Sequence, residues 1–329
     1  MMGTQRIRYV ALKGSMQYFE IIKCHGSGND FILVDAIGDG VARGVDREAF
    51  ARVACDRQSG IGGDGILFID RDSEGRCVMD MLNPDGTHAE MCGNGIRCVA
   101  RVAMQRGYVT GGVICSGGRV YAVERAANLA DGVEAYTVDI PLRLWSADFA
   151  FFGSDDKHVG KIIEELHPEL QFTALSPGNP HVVAAVESID MELLESLGEK
   201  VKGIKSLFPN GVNISLYKRL SSDEIFVATY ERGAGITLSC GTAMTSSATA
   251  AVLLGLIEEG THLGVCNRGG KVFCTTRLVE GVPTTKLEGN ATIVWRGKAS
   301  FDGVKLCYDI EEHTNEDECW KSYVASLGN

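Results

Sequence analysis

Glu90-Met91-Cys92-Gly93-Asn94-Gly95 is answered, about 150 residues later, by Leu238-Ser239-Cys240-Gly241-Thr242-Ala243. Each stretch sets a cysteine at the mouth of a helical pattern. Ile96-Arg97-Cys98-Val99-Ala100-Arg101-Val102-Ala103-Met104 follows Cys92 and is closed by Gly107; Ala248-Thr249-Ala250-Ala251-Val252-Leu253-Leu254 follows Cys240 and is closed by Gly255. Both helices read as largely buried. A cysteine there meets free N–H groups and the positive end of a helix dipole, which favours a thiolate, and the adjacent glycine lets a ligand carboxylate approach the same N–H groups.

Outward from these cysteines the two halves of the chain keep register. Gly26-Ser27-Gly28-Asn29-Asp30 precedes the apolar run Phe31-Ile32-Leu33-Val34, and Pro177-Gly178-Asn179-Pro180-His181 precedes Val182-Val183-Ala184-Ala185-Val186; both runs read as buried strands. Asn29 lies 63 positions before Cys92 and Asn179 lies 61 before Cys240, while Asn83 and Glu231 each lie nine before their cysteine. A repeat of this period signals a duplicated domain, because solenoid units are far shorter. Further short strands are expected at Gly112–Cys115, Tyr136–Ile140, Val212–Tyr217 and Thr292–Trp295. The pattern predicts an α+β fold of two pseudo-symmetric domains, each a mostly antiparallel sheet or barrel around a central helix, with the active site in the cleft between them. The expected division is an extension over 1–15, a first domain over 16–140 with Cys92, a second over 141–290 with Cys240, and, over 291–329, a strand returning to the first domain plus a tail.

Composition narrows the function. The net charge of −11 is the wrong sign for a nucleic-acid binder, and no apolar run approaches the ~20 residues needed to cross a bilayer. The N-terminus lacks a secretory signal pattern, so a cytoplasmic protein is expected. Acidic Asp309–Glu318 reads as a solvated tail or surface helix. The eleven cysteines include no C-x-x-C pair, so neither a metal site nor a thioredoxin-like redox site is expected. No P-loop, clean dinucleotide fingerprint or pyridoxal-phosphate lysine context is present, and no cofactor is expected; Gly60-Ile61-Gly62-Gly63-Asp64-Gly65 reads as a turn entering the strand Ile66–Ile69.

Two thiols related by a pseudo-twofold suit a reaction that removes a proton from one face of an amino-acid α-carbon and returns one to the other. A thiolate with a pKa tuned from ~8.5 serves as the base and the opposite thiol as the acid. Charge flowing into the α-carboxylate can be taken up by N–H groups at Gly93-Asn94 and Gly241-Thr242, as in an oxyanion hole. Facing thiols should also be sensitive to oxidation, and closure around the substrate is expected because excluding water strengthens that stabilisation.

His25-Gly26-Ser27-Gly28-Asn29-Asp30-Phe31, Gly60–Gly65, Asn83-Pro84-Asp85-Gly86-Thr87, Met91–Gly95, Gly178-Asn179-Pro180-His181, Val212-Asn213, Tyr230-Glu231-Arg232-Gly233-Ala234-Gly235 and Cys240-Gly241-Thr242 resemble, in order and spacing, the motifs of the diaminopimelate epimerase family, from about Met16 to about Gly297. The resemblance implies a cofactor-independent isomerase interconverting LL- and meso-diaminopimelate for lysine and cell-wall precursor biosynthesis, with Cys92 and Cys240 as alternating acid and base. It implies that His181 and Glu231 assist the thiols, and that Asn29, Asn83, Asn179, Asn213 and Arg232 hold the non-reacting amino-acid end. Taken singly, the asparagines read as turn caps, His181 as a satisfied strand histidine and Glu231-Arg232 as a surface pair. His25 is read as support for the Asn29 loop, His88 as a loop residue close to the site, and Asn94 as presenting its N–H rather than its side chain. A homodimer is compatible with the resemblance.

The flank of Cys240 departs from the family pattern. Thr242-Ala243-Met244 replaces a glycine-containing run, and Ala243 narrows the helix mouth. A related racemase for another amino acid, such as histidine, would keep the chemistry and change the pocket. An isomerase of the phenazine-biosynthesis type would use an acidic residue without the cysteine pair, and a binding protein on the same scaffold would use the helix mouths without turnover.

Overall fold

Helices interrupt the strands wherever two neighbouring strands run parallel, because parallel neighbours cannot be joined by a hairpin. Asn29–Asp35 is parallel to Gly65–Arg71, and α1 (Gly40–Arg43) and α2 (Arg47–Ala54) lie between them. Cys77–Leu82 meets Val113–Ser116 in parallel across α3 (Gly93–Gln105). His181–Ala185 and Asn213–Arg219 repeat the first arrangement across α4 (Met191–Gly203), and Glu224–Glu231 and Leu263–Asn267 repeat the second across α5 (Gly241–Leu253). The remaining ladders are antiparallel. These features belong to a computed structural model that describes residues 18–89, 91–109, 112–144, 149 and 157–327. The extension expected over 1–15 and the residue Glu90 lie outside the described residues.

Local chemistry sets the helix starts. Asp39, Asp46 and Asp190 each accept hydrogen bonds from first-turn N–H groups of α1, α2 and α4. Cysteines occupy the equivalent place in α3 and α5, with extended backbone at Cys92 (φ −145°) and Cys240 (φ −134°). Only Cys92 caps with its side chain, accepting from Gly95 N at 3.4 Å.

The two halves share one sheet seam and one core. Ala135–Pro141 pairs with Val282–Asn290 over seven residues, joining the first-half ladder to the second, and Thr292–Phe301 returns to pair with Phe19–Gly26. Apolar residues from α3 (Ile96, Val99), α5 (Met244, Ala248) and the seam (Val138, Leu287) form one contiguous cluster, while α1 and α2 close a separate cluster on the first half and α4 one on the second. The central helices are therefore packed into the core along their length, with Arg97 and Arg101 of α3 and Thr249 of α5 bonded to polar groups of neighbouring segments.

The acidic C-terminal segment is not a solvated tail. Leu306–His313 adds a strand to Thr292–Phe301, and α6 (Glu316–Leu327) follows. Glu316 receives a bidentate pair from the buried Arg101 guanidinium at 2.6 and 2.7 Å, and Trp320 is buried. A buried guanidinium needs carboxylate partners, and folding the segment back adds Glu316 to Glu134, whose Oε2 lies 3.5 Å from Arg101 Nε.

Candidate active site

The mouths of α3 and α5 meet. A methyl group built on Gly241, the first residue of α5, would sit 3.2 Å from Oδ1 of Asn94, the second residue of α3, so only a glycine gives that amide room without displacement. Both helices point their positive ends and first N–H groups at this spot.

On the first half, Asn29 stands at the start of its strand and turns its amide by a defined set of partners. Its Nδ2 donates to Asp64 Oδ2 at 2.7 Å, which leaves Oδ1 to face Cys92 Sγ at 3.8 Å and to accept from Asn94 Nδ2 at 3.3 Å. Asp64 is held by Arg57, which also pairs with Asp30, and Asp30 pairs with Lys23. The sequence reading assigned Asn94 only a backbone N–H. Its side chain is engaged as well, between Asn29 and Arg97.

On the second half, His181 is wholly buried, and its Nε2 lies 3.0 Å from Thr242 Oγ1 and 3.2 Å from Asn179 Oδ1. Thr242 Oγ1 lies 3.4 Å from Cys240 Sγ. Asn213 donates to Pro180 O and accepts from Arg232 N at 2.9 Å, fixing the Asn-Pro-His turn against the Glu-Arg turn. Glu231 accepts from Thr237 Oγ1 at 2.6 Å.

Cavities open on both sides of this meeting point. One of about 490 Å³ is lined by Asn83, Met91, Asn179 and Arg232. Another of about 890 Å³ is lined by Asn29, Asp64, Glu231, Thr237 and Ser239, and Asn83 borders both. Asn83 is fixed by Nδ2 donating to Thr87 Oγ1 at 3.0 Å. Arg232 Nη1 donates to Asn210 O at 2.9 Å. Gly93 starts α3 behind Met91 and Leu287. Every residue singled out for the site in the sequence thus lies at the two helix mouths or on the cavities beside them, except Asn213, which acts from behind.

The thiols differ from expectation. The helix mouths favour thiolates, but burial outweighs that and pushes Cys92 up to about 11, against opposing N–H bonds from Gly95 and Asn94. Burial raises Cys240 as well, and the negative charge of Glu231 adds to it. His181 moves the other way, down to about 3, through burial and then the charge of Arg232; it is neutral at pH 7. Its Nδ1 has no hydrogen-bond partner among the described residues.

Sequence reasoning missed Arg97, Asp64, Thr237 and Asn290. Arg97 carried a usable signal, being a charge inside a helix that otherwise reads as buried. Asp64 stood in the Gly60–Gly65 run, whose reading as a turn passed over its side chain; Thr237 binds Glu231 six positions away, and Asn290 acts through contacts distant in the chain and had no signal.

Solved structures of isomerases and epimerases share this two-half architecture. A phenazine biosynthesis protein of the PhzF family from Bacillus anthracis superposes with a TM-score of 0.59 at 16% identity, covering 87% of this chain and all of that one. A hydroxyproline epimerase from Agrobacterium vitis gives 0.59 at 13%, covering 87% and 93%. These likenesses define the fold. The sequence profile described as diaminopimelate epimerase matches residues 21–128 and 173–294. A diaminopimelate epimerase of Clostridium acetobutylicum is 36% identical over 302 residues, 91% of each chain, and one of Listeria monocytogenes is 35% identical over 321 residues, 95% of this chain and 98% of the relative. This chain belongs to the diaminopimelate epimerase family.

Proposed function

We propose that this protein is an isomerase that interconverts LL- and meso-diaminopimelate with Cys92 and Cys240 as its two bases. The observation that carries the reading is the meeting of two cysteine-started helices, Asn94 against Gly241, beside a cavity lined by Asn83, Asn179 and Arg232. The reacting α-carboxylate binds at the first N–H groups of α3 and α5, contributed by Gly93, Asn94, Gly241 and Thr242, where developing negative charge is stabilised. One sulfur, as thiolate, takes the α-proton; the opposite thiol returns a proton to the other face, and the reverse reaction exchanges the roles.

The distal end carries a carboxylate and an ammonium. Arg232 supplies a guanidinium for the first, and the amide oxygens of Asn83 and Asn179 supply acceptors for the second. An imidazole would leave Arg232 without an anion, so this cavity favours diaminopimelate over histidine. Asn29 orients the Cys92 side, His181 reaches Cys240 through Thr242, and Glu231 stands beside Cys240. Asn213 holds the turn that carries His181 and Arg232.

The whole sequence divides, in this reading, at the seam between Ala135–Pro141 and Val282–Asn290, with Thr292–Phe301 returning to the first half. All eleven cysteines are free, which supports a reducing, cytoplasmic setting. Among the described residues no helix is long and apolar enough to cross a membrane.

The test is α-proton exchange in D2O. LL-diaminopimelate should gain α-deuterium and yield the meso isomer, and Cys92→Ser or Cys240→Ser should abolish isomerisation. Exchange of another amino acid in its place would overturn the substrate, and full isomerisation by either variant would overturn the two-base mechanism. Undiminished binding without turnover in the parent protein would make it a binding protein.

A further inference from the structure

Arg97, five positions after Cys92, is wholly buried (0% exposed). Its hydrogen bonds go to neutral oxygens: Nε to Asn290 O at 3.1 Å, Nη1 to Gly93 O at 3.3 Å, and Nη2 to Ser27 Oγ at 3.0 Å and Asn94 Oδ1 at 2.9 Å. Among the described residues no carboxylate pairs with it. A buried guanidinium is ordinarily matched by an acid, as Arg101 on the same helix is by Glu316. The ionisable groups whose charges reach Arg97 are thiols: Cys92 and Cys98 on its own helix, and Cys274 on the strand Gly270–Val279. On the facing strand, Cys24 interacts with Cys98, and His25 is turned to Asp317.

The seat is built for this group. A methyl on Gly26 would lie 3.0 Å from Arg97 Nη2, and one on Gly289 would lie 2.9 Å from it and 3.0 Å from Cζ, so side chains are absent from both walls where the guanidinium fits. Ser27, which it binds, has a φ of 54°, rare and costly for a residue with a side chain. That strained turn is held from two directions, by Arg97 at its hydroxyl and by Asn290 Oδ1, which accepts from Ser27 N at 2.7 Å. Two residues on, Asn29 meets Cys92 and Asn94.

Resting on the two-thiol reading above, we propose that Arg97 is the positioning residue of the first half: its fork locks the Ser27–Asn29 turn to the opening turn of α3, and its fixed charge favours the anionic forms of Cys92 and of the carboxylate bound at that helix mouth. A guanidinium keeps its proton at any working pH, so the charge is constant while the thiol titrates. Charge without a compensating acid is what an anion-generating site uses and what a purely structural site avoids.

The test reads Cys92 directly. In full-length protein carrying Cys240→Ser, the rate of Cys92 alkylation by iodoacetamide is followed against pH by peptide mapping, with Arg97 retained, R97K and R97Q. R97Q should raise the alkylation pKa by about 1, the effect of removing one near cation. R97K should leave it near the parent value. With Cys240 present, both variants should lose kcat by about 10-fold or more through loss of the directed bonds to Asn290, Gly93, Ser27 and Asn94, with a smaller change in KM. An R97Q titration that overlays the parent curve overturns the proposal. If R97Q does not fold, G289A crowds the guanidinium while keeping its charge in the chain; it should raise the same pKa and lower kcat, and unchanged values of both overturn the proposal. A shift in alkylation without α-proton exchange by any amino acid would leave Arg97's action on Cys92 standing and remove the isomerase reading instead.

Discussion

His181 Nε2 lies 3.0 Å from Thr242 Oγ1, and that hydroxyl lies 3.4 Å from Cys240 Sγ, so a buried neutral histidine reaches the second thiol through one threonine. Thr242→Val removes the link between the histidine and the thiol, while His181 Nε2 keeps Asn179 Oδ1 at 3.2 Å. It should lower kcat by about 10-fold or more, the worth of a hydrogen bond to a charge-bearing group. Thr242→Ser, which keeps the hydroxyl, should recover most of the rate. Steady-state isomerisation of LL-diaminopimelate by the two variants measures the difference, and equal rates would show that the hydroxyl is idle.

Glu231 sits beside Cys240 and its charge opposes a thiolate there, whereas Cys92 accepts N–H bonds that favour one. At neutral pH iodoacetamide should therefore label Cys92 ahead of Cys240. Glu231→Gln should speed labelling of Cys240 and leave Cys92 unchanged. Mass spectrometry of the labelled peptides decides it, and preferential labelling of Cys240 in the parent protein would contradict the assignment.

Because burial holds His181 down to about 3 against its ordinary 6.5, the unfolded chain binds a proton in that interval that the native state refuses. Its contribution to stability is complete above pH 6.5 and falls as the pH drops toward 3, by up to about 4 kcal/mol. Urea unfolding at a series of pH values should show that decline in the parent protein and a flatter profile in His181→Gln. Parallel profiles would assign the acid sensitivity elsewhere.

Gly241→Ala puts a methyl 3.2 Å from Asn94 Oδ1. The amide must give way, and Asn94 is held by Arg97 and Asn29. The variant should lose about 1–3 kcal/mol of stability, the range for overpacking, and lose turnover out of proportion to substrate affinity. Thermal unfolding together with kcat and KM tests both halves of that statement.

Arg232→Met should act differently, raising KM for diaminopimelate by about 10-fold or more with less effect on kcat, since it removes a contact that substrate and transition state share. A fall in kcat at constant KM would place Arg232 at the reacting end.

The duplication was readable because its markers are short. Cys-Gly at a helix mouth, the apolar runs after Asn29 and Asn179, and Asn83 and Glu231 nine positions before each cysteine all lie within stretches whose chemistry is local. The acidic segment Asp309–Glu318 was legible in part: Asp309, Glu311 and Glu312 are exposed and a surface helix begins at Glu316, as the charges predict. Its strand pairing and the bond of Glu316 to Arg101, more than 200 residues earlier, were not legible, because no local pattern announces such partners.

By itself, the chain's order of residues determined that there are two equivalent halves, that each centres on a buried helix started by a cysteine, and which polar residues accompany it. Helix starts, apolar periodicity and turn residues act over a few positions, so they are written locally. Tertiary structure alone decided that the two mouths meet at Asn94 and Gly241, that Asn94 works through its side chain, that burial raises both thiols, and that Arg97 is seated between Gly26 and Gly289 with no acid beside it among the described residues. Each of these depends on desolvation or on contacts between distant segments, and both come into being only when the seam strands Ala135–Pro141 and Val282–Asn290 bring the halves together.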